Sequence, residues 1–517
     1  MLATVPNASG NVSQIVQWLA FDFRTLLVLA VLATVSFWLL NAAVPLMPIE
    51  TADSEAYVEF SAMRPHGYSW FLAAYRSFVH EDLAYLPSVQ LSAYISSLFL
   101  LATAVGCRTG SFPAAAAVLI LACLCMRTSE AEFVMSDALY AAALISATAL
   151  LVLHVARPNI TFIALAGTGV GLALAFRTIG YAMVLPLLIT VVLHAFVSGF
   201  STLRAFLVAA VPMLTLYSAL ATSQYVRHGE FGIGSAGGTS LLGKGLVLAR
   251  PLADTSSFPA LNGLADAAVP VRSAVRRIHD PFLKTLVVRQ YHEYLRWFVA
   301  LPELEKEWPA WREASGAERA RLAGRLAFAY ISQDPAGYAR QVAIDLLGLW
   351  TMPRWLIEPE LVRLQDKLDG LGDLPFLTEF SRTPEGQLEF YQILPSGPQP
   401  LRALLLRTSS AAFWAFSIWL FLALARRRAR PNIWRSPDLL FMALAVHAVY
   451  IGTALAESAH ERYLIPTWPL LVAGPILAAA IAIGTSRDRV RQGPATADPR
   501  PGAENASRPV NGLNENR

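Results

Sequence analysis

Residues 138–155 read ALYAAALISATALLVLHV, an apolar run without a single charged side chain. A helix of roughly 20 such residues crosses the hydrocarbon core of a bilayer, where the backbone must satisfy its own hydrogen bonds. The run therefore predicts a transmembrane helix. Ten stretches of this kind predict ten spans, of which the third and fifth are short: Thr25–Leu46, Tyr85–Val105, Ser111–Met126, Ala138–Val155, Thr161–Phe176, Ile179–Phe196, Ala205–Thr222, Ala403–Ala425, Leu439–Leu455 and Leu464–Gly484.

Charge is scarce and unevenly distributed along the 517 residues. The chain is 55% hydrophobic and 15% charged, whereas soluble domains average about a quarter charged. The segment Ser223–Pro400 holds 20 of the 37 acidic and 19 of the 41 basic residues. This pattern excludes a soluble enzyme, a fibrous protein and a disordered chain. It predicts an all-α polytopic membrane protein with a mixed, mainly helical water-facing domain.

These boundaries divide the chain into four parts. We expect a seven-span core over residues 1–222, an outer domain over 223–400, three further spans over 401–484 and a disordered tail over 485–517. Within the outer domain, Val342–Leu356 is interrupted by charges and proline, which favours an amphipathic helix lying on the membrane, with Trp350 and Trp355 at headgroup depth.

The basic residues predict the orientation in the membrane. RRRARPNIWR joins the eighth and ninth spans, and SRDRVRQ follows the tenth. Because short loops rich in lysine and arginine stay in the cytoplasm, the loop Met47–Ala84, the link Arg127–Asp137 and the large insert should face outward. We expect an integral protein of a bacterial inner membrane with its site facing the periplasm.

The metal- and sulfur-binding residue types show no pattern. Cys107, Cys123 and Cys125 all fall in or beside predicted spans and give neither a disulfide framework nor metal-ligand spacing. The lone His66 and His228 are interpreted as ordinary loop residues.

Carboxylates cluster in the two outer loops. Asp53 and Glu55 follow the first span, where a general base for a membrane-proximal acceptor could stand; plain solvation of the loop is the alternative. Glu130 and Glu132 in the second loop could orient an acceptor or bind a divalent cation, and the need for a metal stays open. Asp137 opens the fourth span, where it could act in catalysis, as the helix N-cap, or as both.

Cationic residues near the outer face are candidate phosphate ligands. Arg177 lies between two spans with no acid next to it in sequence, and its planar guanidinium suits phosphate oxygens; a snorkelling anchor is the alternative. Lys244, in the glycine-rich stretch GIGSAGGTSLLGKG, and His460 and Arg462, beside the last span, are similar candidates. The glycine-rich stretch does not match a P-loop, and a flexible loop is its simpler interpretation.

Several motifs together resemble one enzyme family. The acids of the first loop are followed by RPHGYSWFL, which resembles the acid-then-RPPGYP signature of GT-C glycosyltransferases, in the branch of the protein O-mannosyltransferases and lipid A aminoarabinose transferases. Further similar motifs occur in the family's order between Glu50 and Leu471: MSDALYAAAL, AFRTIGYAMVLPLLI, GEFGIGSAGGTSLLGKG and ERYLIPTWPLL.

The resemblance implies transfer of a sugar from a polyprenyl-phosphate donor to a lipid, glycan or protein acceptor at the outer face. By this resemblance Asp53 matches the catalytic or acceptor-orienting carboxylate of the first loop, Glu55 a second acid, and Asp137 the acid of the second loop. It assigns the donor phosphate to Arg177 and Arg462. Which of Asp53 and Glu55 is the base stays open, because DSE stands here in place of adjacent acids. Membrane lipids are expected partners and nucleic acid is not.

Other functions remain as alternatives. A transporter or flippase of polyprenyl-linked glycans would favour mid-span charges and internal repeats, and the chain shows few of the former and none of the latter. A ligase acting on the same lipids, or a scaffolding protein, is a further alternative.

Overall fold

The computed structural model describes residues 23–51, 53–126, 129–199, 201–234, 237–248, 262–351, 400–426, 436–457 and 463–491, with a few isolated positions between 359 and 370. Across these ranges the chain is helical, and pairing of the β type is limited to one isolated bridge between Ile49 and Phe133. The predicted fold class, an all-α polytopic membrane protein, is confirmed.

Each of the ten predicted spans forms an apolar helix. Eight helical segments are long and apolar enough to cross a membrane, counting only the described ranges, and the two shorter ones coincide with the third and fifth predicted spans. The span helices are α1 (Phe23–Asn41), α4 (Leu86–Thr109), α5 (Phe112–Cys125), α7 (Asp137–Ala156), α8 (Ile160–Phe176), α9 (Tyr181–Ser198), α10 (Thr202–His228), α19 (Pro400–Ala425), α20 (Pro437–Ala456) and α21 (Trp468–Arg491). Short 3-10 turns, Thr178–Gly180 and Ile465–Thr467, precede α9 and α21.

Small residues allow the central spans to pack closely. Helix α7 is buried along most of its length and packs against α4 and α8, and α8 packs in turn against α10. A Cβ added at Gly169 of α8 would lie 3.0 Å from Cβ of Ala147 in α7. In lipid, where apolar tails compete equally for apolar side chains, such close backbone approach is what drives helices together.

The first of the two loops that are predicted to face outward carries short helices of its own. Helix α2 (Ser54–Val58) and α3 (His66–Phe78) lie between α1 and α4, and α6 (Ser129–Glu132) lies between α5 and α7. Tyr57, Tyr68, Leu72 and Tyr75 form a small core with Leu86, Val134 and Leu139, so the loop packs on the ends of the spans.

The insert between α10 and α19 forms a helical unit with its own apolar core. Its helices are α11 (Gly237–Leu248), α12 (Asn262–Ala267), α13 (Val269–Arg277), α14 (Pro281–Tyr294), α15 (Leu301–Glu307), α16 (Pro309–Glu313), α17 (Gly316–Gln333) and α18 (Pro335–Trp350), with a π-helical turn at Leu295–Ala300. Helices α11 and α18 contact α20, which attaches this unit to the membrane helices.

Three local expectations differ from the structure. The glycine-rich stretch is helix α11 from Gly237 onward rather than a flexible loop, because Gly238 lets α11 approach α17: a Cβ there would lie 1.8 Å from the Ala320 carbonyl oxygen. Helix α10 continues past the predicted end of its span to His228. Helix α21 extends to Arg491, beyond the predicted start of the tail.

The segment predicted to lie on the membrane surface corresponds to the end of α18. Trp350 is half-buried and its ring centroid lies 4.1 Å from that of Tyr450 in α20 and 4.9 Å from that of Trp414 in α19. Trp355 lies outside the described residues. The interfacial location, the division into four parts, and the sides of the membrane stay predictions.

Candidate active site

Backbone hydrogen bonds join the two outer loops. The amide of Ile49 donates to the carbonyl oxygen of Glu132 at 2.8 Å, and the amide of Val134 donates to the carbonyl oxygen of Ile49 at 3.0 Å. The segments that lead into α2 and α7 therefore run side by side at the same end of the helix bundle.

Side-chain hydrogen bonds reinforce this junction beside the predicted carboxylates. Ser54 Oγ donates to the carbonyl oxygen of Val134 at 3.2 Å, and the Tyr57 hydroxyl lies 3.0 Å from Ser136 Oγ. Because Asp53 precedes Ser54 and Asp137 follows Ser136, the structure brings the segments that carry these two acids into one region.

Gln90, a polar residue near the start of the apolar helix α4, holds the second loop in place. Its buried amide donates from Nε2 to the carbonyl oxygens of Ala131 at 2.9 Å and Phe133 at 3.0 Å, and Oε1 accepts from the Tyr68 hydroxyl at 2.9 Å. Sequence reasoning missed Gln90, although a polar amide within a predicted span is itself a signal, since it must find partners there.

Asp53 forms an ion pair with Arg64, the arginine of the RPHG motif. Asp53 is the N-cap of α2 but its side chain makes no capping hydrogen bond. The two side chains are 30% and 24% exposed, and the guanidinium carbon lies 5.6 Å from the Tyr57 ring centroid. The partly accessible carboxylate can accept a proton, and the guanidinium beside it can donate hydrogen bonds to phosphate oxygens. Glu55, on the same helix, is exposed.

His66 anchors the RPHG motif to the end of α10. Its Nδ1 lies 2.9 Å from Ser223 Oγ and its Nε2 lies 3.1 Å from the Phe60 carbonyl oxygen, which also accepts from His228 Nε2 at 2.7 Å. Burial, together with the neighbouring His228, lowers the pKa of His66 to about 4. The ring is therefore neutral at physiological pH, and both histidines serve as hydrogen-bonded anchors of the loop.

Asp137 forms a buried ion pair with Arg177. Their side chains are 2% and 6% exposed. Ser136 occupies the N-cap position of α7 without a side-chain capping hydrogen bond, and Asp137 is the first helical residue, so the predicted N-cap role of Asp137 is wrong. Arg177 lies at the break between α8 and the following 3-10 turn, and its guanidinium carbon is 4.9 Å from the Tyr463 ring centroid. The acid that the sequence around Arg177 lacks is thus supplied by another span.

Two glycines make the close approach around Arg177 possible. A Cβ at Gly67 would lie 2.4 Å from the carbonyl oxygen of Ala175, two residues before Arg177. A Cβ at Gly180 would lie 2.6 Å from Cα of Leu174. Real Cβ atoms do not approach backbone this closely, so the glycines of RPHG and RTIG are required to seat α3 and the 3-10 turn against α8.

A small cavity opens beside Asp137. The empty space at this position, part of it open to solvent, is about 240 Å³. Its lining combines the first turns of α7 with residues of α4, the end of α5 and the 3-10 turn before α21: Tyr94, Met126, Asp137, Ala138, Ala141, Ile465 and Pro466. Asp137 is the charged residue in this lining, so the cavity combines apolar walls with one carboxylate.

Lys244 donates all of its hydrogen bonds to groups within the protein. Its side chain is 1% exposed, and Nζ donates to Asp345 Oδ2 at 2.7 Å, to the Glu457 carbonyl oxygen at 2.9 Å and to the Ala454 carbonyl oxygen. An ammonium has three donors, and these contacts use all of them. The described conformation therefore leaves no donor of Lys244 for a phosphate, and the residue fastens α11 to α18 and α20.

Among the remaining predicted site residues, the structure describes Glu132 but only part of the others. Glu132 is half-buried and its backbone carbonyl takes part in the junction with Ile49. The side chain of Glu130, and all of His460 and Arg462, lie outside the described residues. Their roles, and a divalent cation at Glu130 and Glu132, stay predictions.

No family model matches the chain, and no curated protein matches it. Among solved structures, the chain is similar to ArnT from Cupriavidus metallidurans bound to undecaprenyl phosphate, at 12% identity over 89% of this chain and 88% of that one, with a TM-score of 0.33. A similarity this weak defines neither the fold nor the function of this chain.

Proposed function

We propose that the chain is a membrane glycosyltransferase that moves a sugar from a polyprenyl-phosphate donor to an acceptor at the outer face of the membrane. The observation that carries the proposal is the junction of the two outer loops through Ile49 and Glu132, which places Asp53 and Asp137 in adjacent segments at one end of the bundle. Their order along the chain matches the GT-C motifs.

The chemistry needs a base and a group that stabilises the departing phosphate. In an inverting displacement, a carboxylate takes the proton of the acceptor hydroxyl while that oxygen attacks the anomeric carbon, and the polyprenyl phosphate leaves with the electron pair of the glycosidic bond. Asp53 is the proposed base because its carboxylate is partly accessible. The apolar spans beside it offer a surface for the isoprenoid tail.

The cations divide into two roles. Arg64 is partly exposed and pairs with Asp53, so it is the proposed contact for the leaving phosphate. Arg177 is buried against Asp137, and we propose that this pair shapes the cavity between α4, α7 and the turn before α21. For Arg177 to bind the donor phosphate directly, the phosphate would have to compete with Asp137.

The proposal is tested by measuring transfer with purified protein in lipid nanodiscs. Labelled polyprenyl-phosphate sugars are supplied together with native membrane lipids and proteins as acceptors, and both transferred label and released polyprenyl phosphate are followed. Asp53→Asn should lower the rate at least about 100-fold, because loss of a general base typically costs 10²–10⁴. Glu59→Gln, an exposed acid in the same loop, is the matched control.

Comparison with Glu55→Gln decides which acid is the base. A normal rate in Asp53→Asn together with a collapse in Glu55→Gln would move the role to Glu55. Full activity in both variants would refute a catalytic role for this loop. Wild-type protein that moves the donor between leaflets without transferring its sugar would favour the transporter alternative.

A further inference from the structure

A second cluster of ionisable groups lies away from the outer loops, where the insert meets the end of a membrane helix. His292 and Glu293 belong to the last turn of α14, and Glu457 is the C-cap residue of α20. One ligand atom of each residue lies within 4.8 Å of the ligand atoms of the other two. The cluster therefore joins the outer unit to the membrane bundle.

The hydrogen bonds of His292 fix which ring nitrogen faces the cluster. Its Nε2 lies 2.9 Å from the carbonyl oxygen of Ser240, and a carbonyl can only accept, so Nε2 carries a hydrogen. Gly243 lets α11 come close enough for this bond, since a Cβ there would lie 3.0 Å from Nε2. Metal-binding histidines usually donate their other ring N–H to such a carbonyl.

Nδ1 of His292 then points at a carboxylate. It lies 3.1 Å from Glu293 Oε1, while Glu293 Oε2 accepts from Trp297 Nε1 at 2.9 Å. A lone pair on Nδ1 would repel Glu293 Oε1, so a cation or a proton must lie between them. A proton is therefore the competitor of a metal ion.

Glu457 supplies a second carboxylate that lacks a close partner. Its Oε2 is buried and, within the described residues, accepts no hydrogen bond. The nearest cation is Arg296, whose Nη1 lies 3.9 Å from Glu457 Oε1 while its Nη2 donates to Thr239 Oγ1 at 3.0 Å. Lys244 bonds the backbone carbonyl of Glu457, not its carboxylate. A buried carboxylate oxygen without a hydrogen-bond donor is unfavourable, and a bound cation would stabilise it.

We propose that His292 Nδ1, Glu293 and Glu457 bind a divalent transition-metal ion, with Zn²⁺ as the best fit. One imidazole and two carboxylates suit Zn²⁺, whereas Mg²⁺ and Ca²⁺ prefer oxygen ligands alone. Three protein ligands leave one position for water in a four-coordinate site. The ion would tie α14 to the end of α20, six residues before Tyr463, whose ring lies against Arg177.

The site is tested by metal binding to the full-length protein in detergent. The protein is purified without a histidine tag, stripped with a chelator and titrated with Zn²⁺ by calorimetry, with metal content measured by mass spectrometry. We expect about one Zn²⁺ per chain and a higher thermal midpoint when it is bound, because a ligand that binds only the folded state stabilises it. Mg²⁺ and Ca²⁺ should not compete at equal concentration.

Variants locate the ion. Glu457→Gln and Glu293→Gln should each weaken Zn²⁺ binding at least tenfold, and retention of the wild-type elution volume shows that the variants fold. Glu307→Gln, which lies in an exposed pair with Lys306, is the control and should bind as the wild type does. Glu132→Gln separates this site from the acidic pair in the second outer loop.

Two results would overturn the zinc site. Wild-type protein that binds no Zn²⁺ at micromolar concentrations, with the same thermal midpoint with and without chelator, would mean that a proton occupies the cluster. Binding that is lost in Glu132→Gln and kept in Glu457→Gln would place the ion in the outer loops. Neither result depends on whether the protein transfers sugars.

Discussion

Replacing Lys244 by methionine should destabilise the protein strongly, and in a pH-dependent way. Lys244 and Asp345 are each 1% exposed and joined at 2.7 Å. Removing one partner of a buried pair leaves an uncompensated charge and typically costs about 3–5 kcal/mol. The remaining donor to Asp345 Oδ2 is Gln341 Nε2 at 3.2 Å, which is too little to offset that loss. At pH 8 we therefore expect Lys244→Met to lower the free energy of unfolding by about 3–5 kcal/mol.

The pH dependence follows from Asp345. Burial raises its pKa, and Lys244 opposes that rise. Without Lys244 the pKa rises further, so the folded variant binds a proton that the unfolded chain has already released, and its stability falls as pH increases through this range. The loss caused by Lys244→Met should accordingly be smaller at pH 5 than at pH 8.

Unfolding in mixed micelles of mild detergent and dodecyl sulfate, followed by tryptophan fluorescence, measures these free energies. Lys306→Met removes a lysine that is 70% exposed and pairs with Glu307, so it should change stability by no more than about 0.5 kcal/mol. The double variant Lys244→Met/Asp345→Leu should recover part of the loss, while the carbonyls of Ala454 and Glu457 remain without their donor. A loss below about 1 kcal/mol, or one that is equal at both pH values, would refute the reasoning.

Three other perturbations follow from the geometry. The pKa of His66 is about 4, so the unfolded chain takes up a proton on this residue before the folded protein does. As pH falls from 6.5 to 4, the free energy of unfolding should therefore drop by up to about 3 kcal/mol. In His66→Gln the unfolding midpoint should depend less on pH over that range. Gly67→Ala should destabilise by about 1–3 kcal/mol, whereas Gly232→Ala, with open space around it, should be nearly neutral in the same assay. Asp137→Ala and Arg177→Ala should each cost about 3–5 kcal/mol, and a double-mutant cycle that shows additive losses would contradict their pairing.

The spans could be predicted from sequence because the bilayer imposes a length and an apolar composition on each of them. Residues 138–155 become α7 for that reason, and even the two short runs form helices where they were expected. Helix α11 was missed because its glycines argue locally against a helix. Their role appears only when α17 and α14 lie against them.

The sequence singled out the acids of the candidate site, whose roles stay predictions, but not the contacts that these acids make. Asp53 and Asp137 stood out because acids at span ends are rare, and the structure brings them into adjacent segments. The partner of Arg177 could not be found, since Asp137 comes from a different span. In the sequence, Asp345 was interpreted only as a charge that interrupts the apolar stretch Val342–Leu356. A charged residue there instead implies a buried partner, which turns out to be Lys244.

Sugar transfer from a polyprenyl-phosphate donor can be tested in the native cell by mass spectrometry of its envelope lipids, glycans and glycoproteins. The gene is deleted and then restored as wild type, as Asp53→Asn or as Glu59→Gln, with equal amounts of protein in the membrane. If Asp53 is the base of such a transfer, one sugar modification disappears on deletion, returns with wild type and Glu59→Gln, and stays absent with Asp53→Asn. An unchanged set of modifications in the deleted strain, or full restoration by Asp53→Asn, would contradict it.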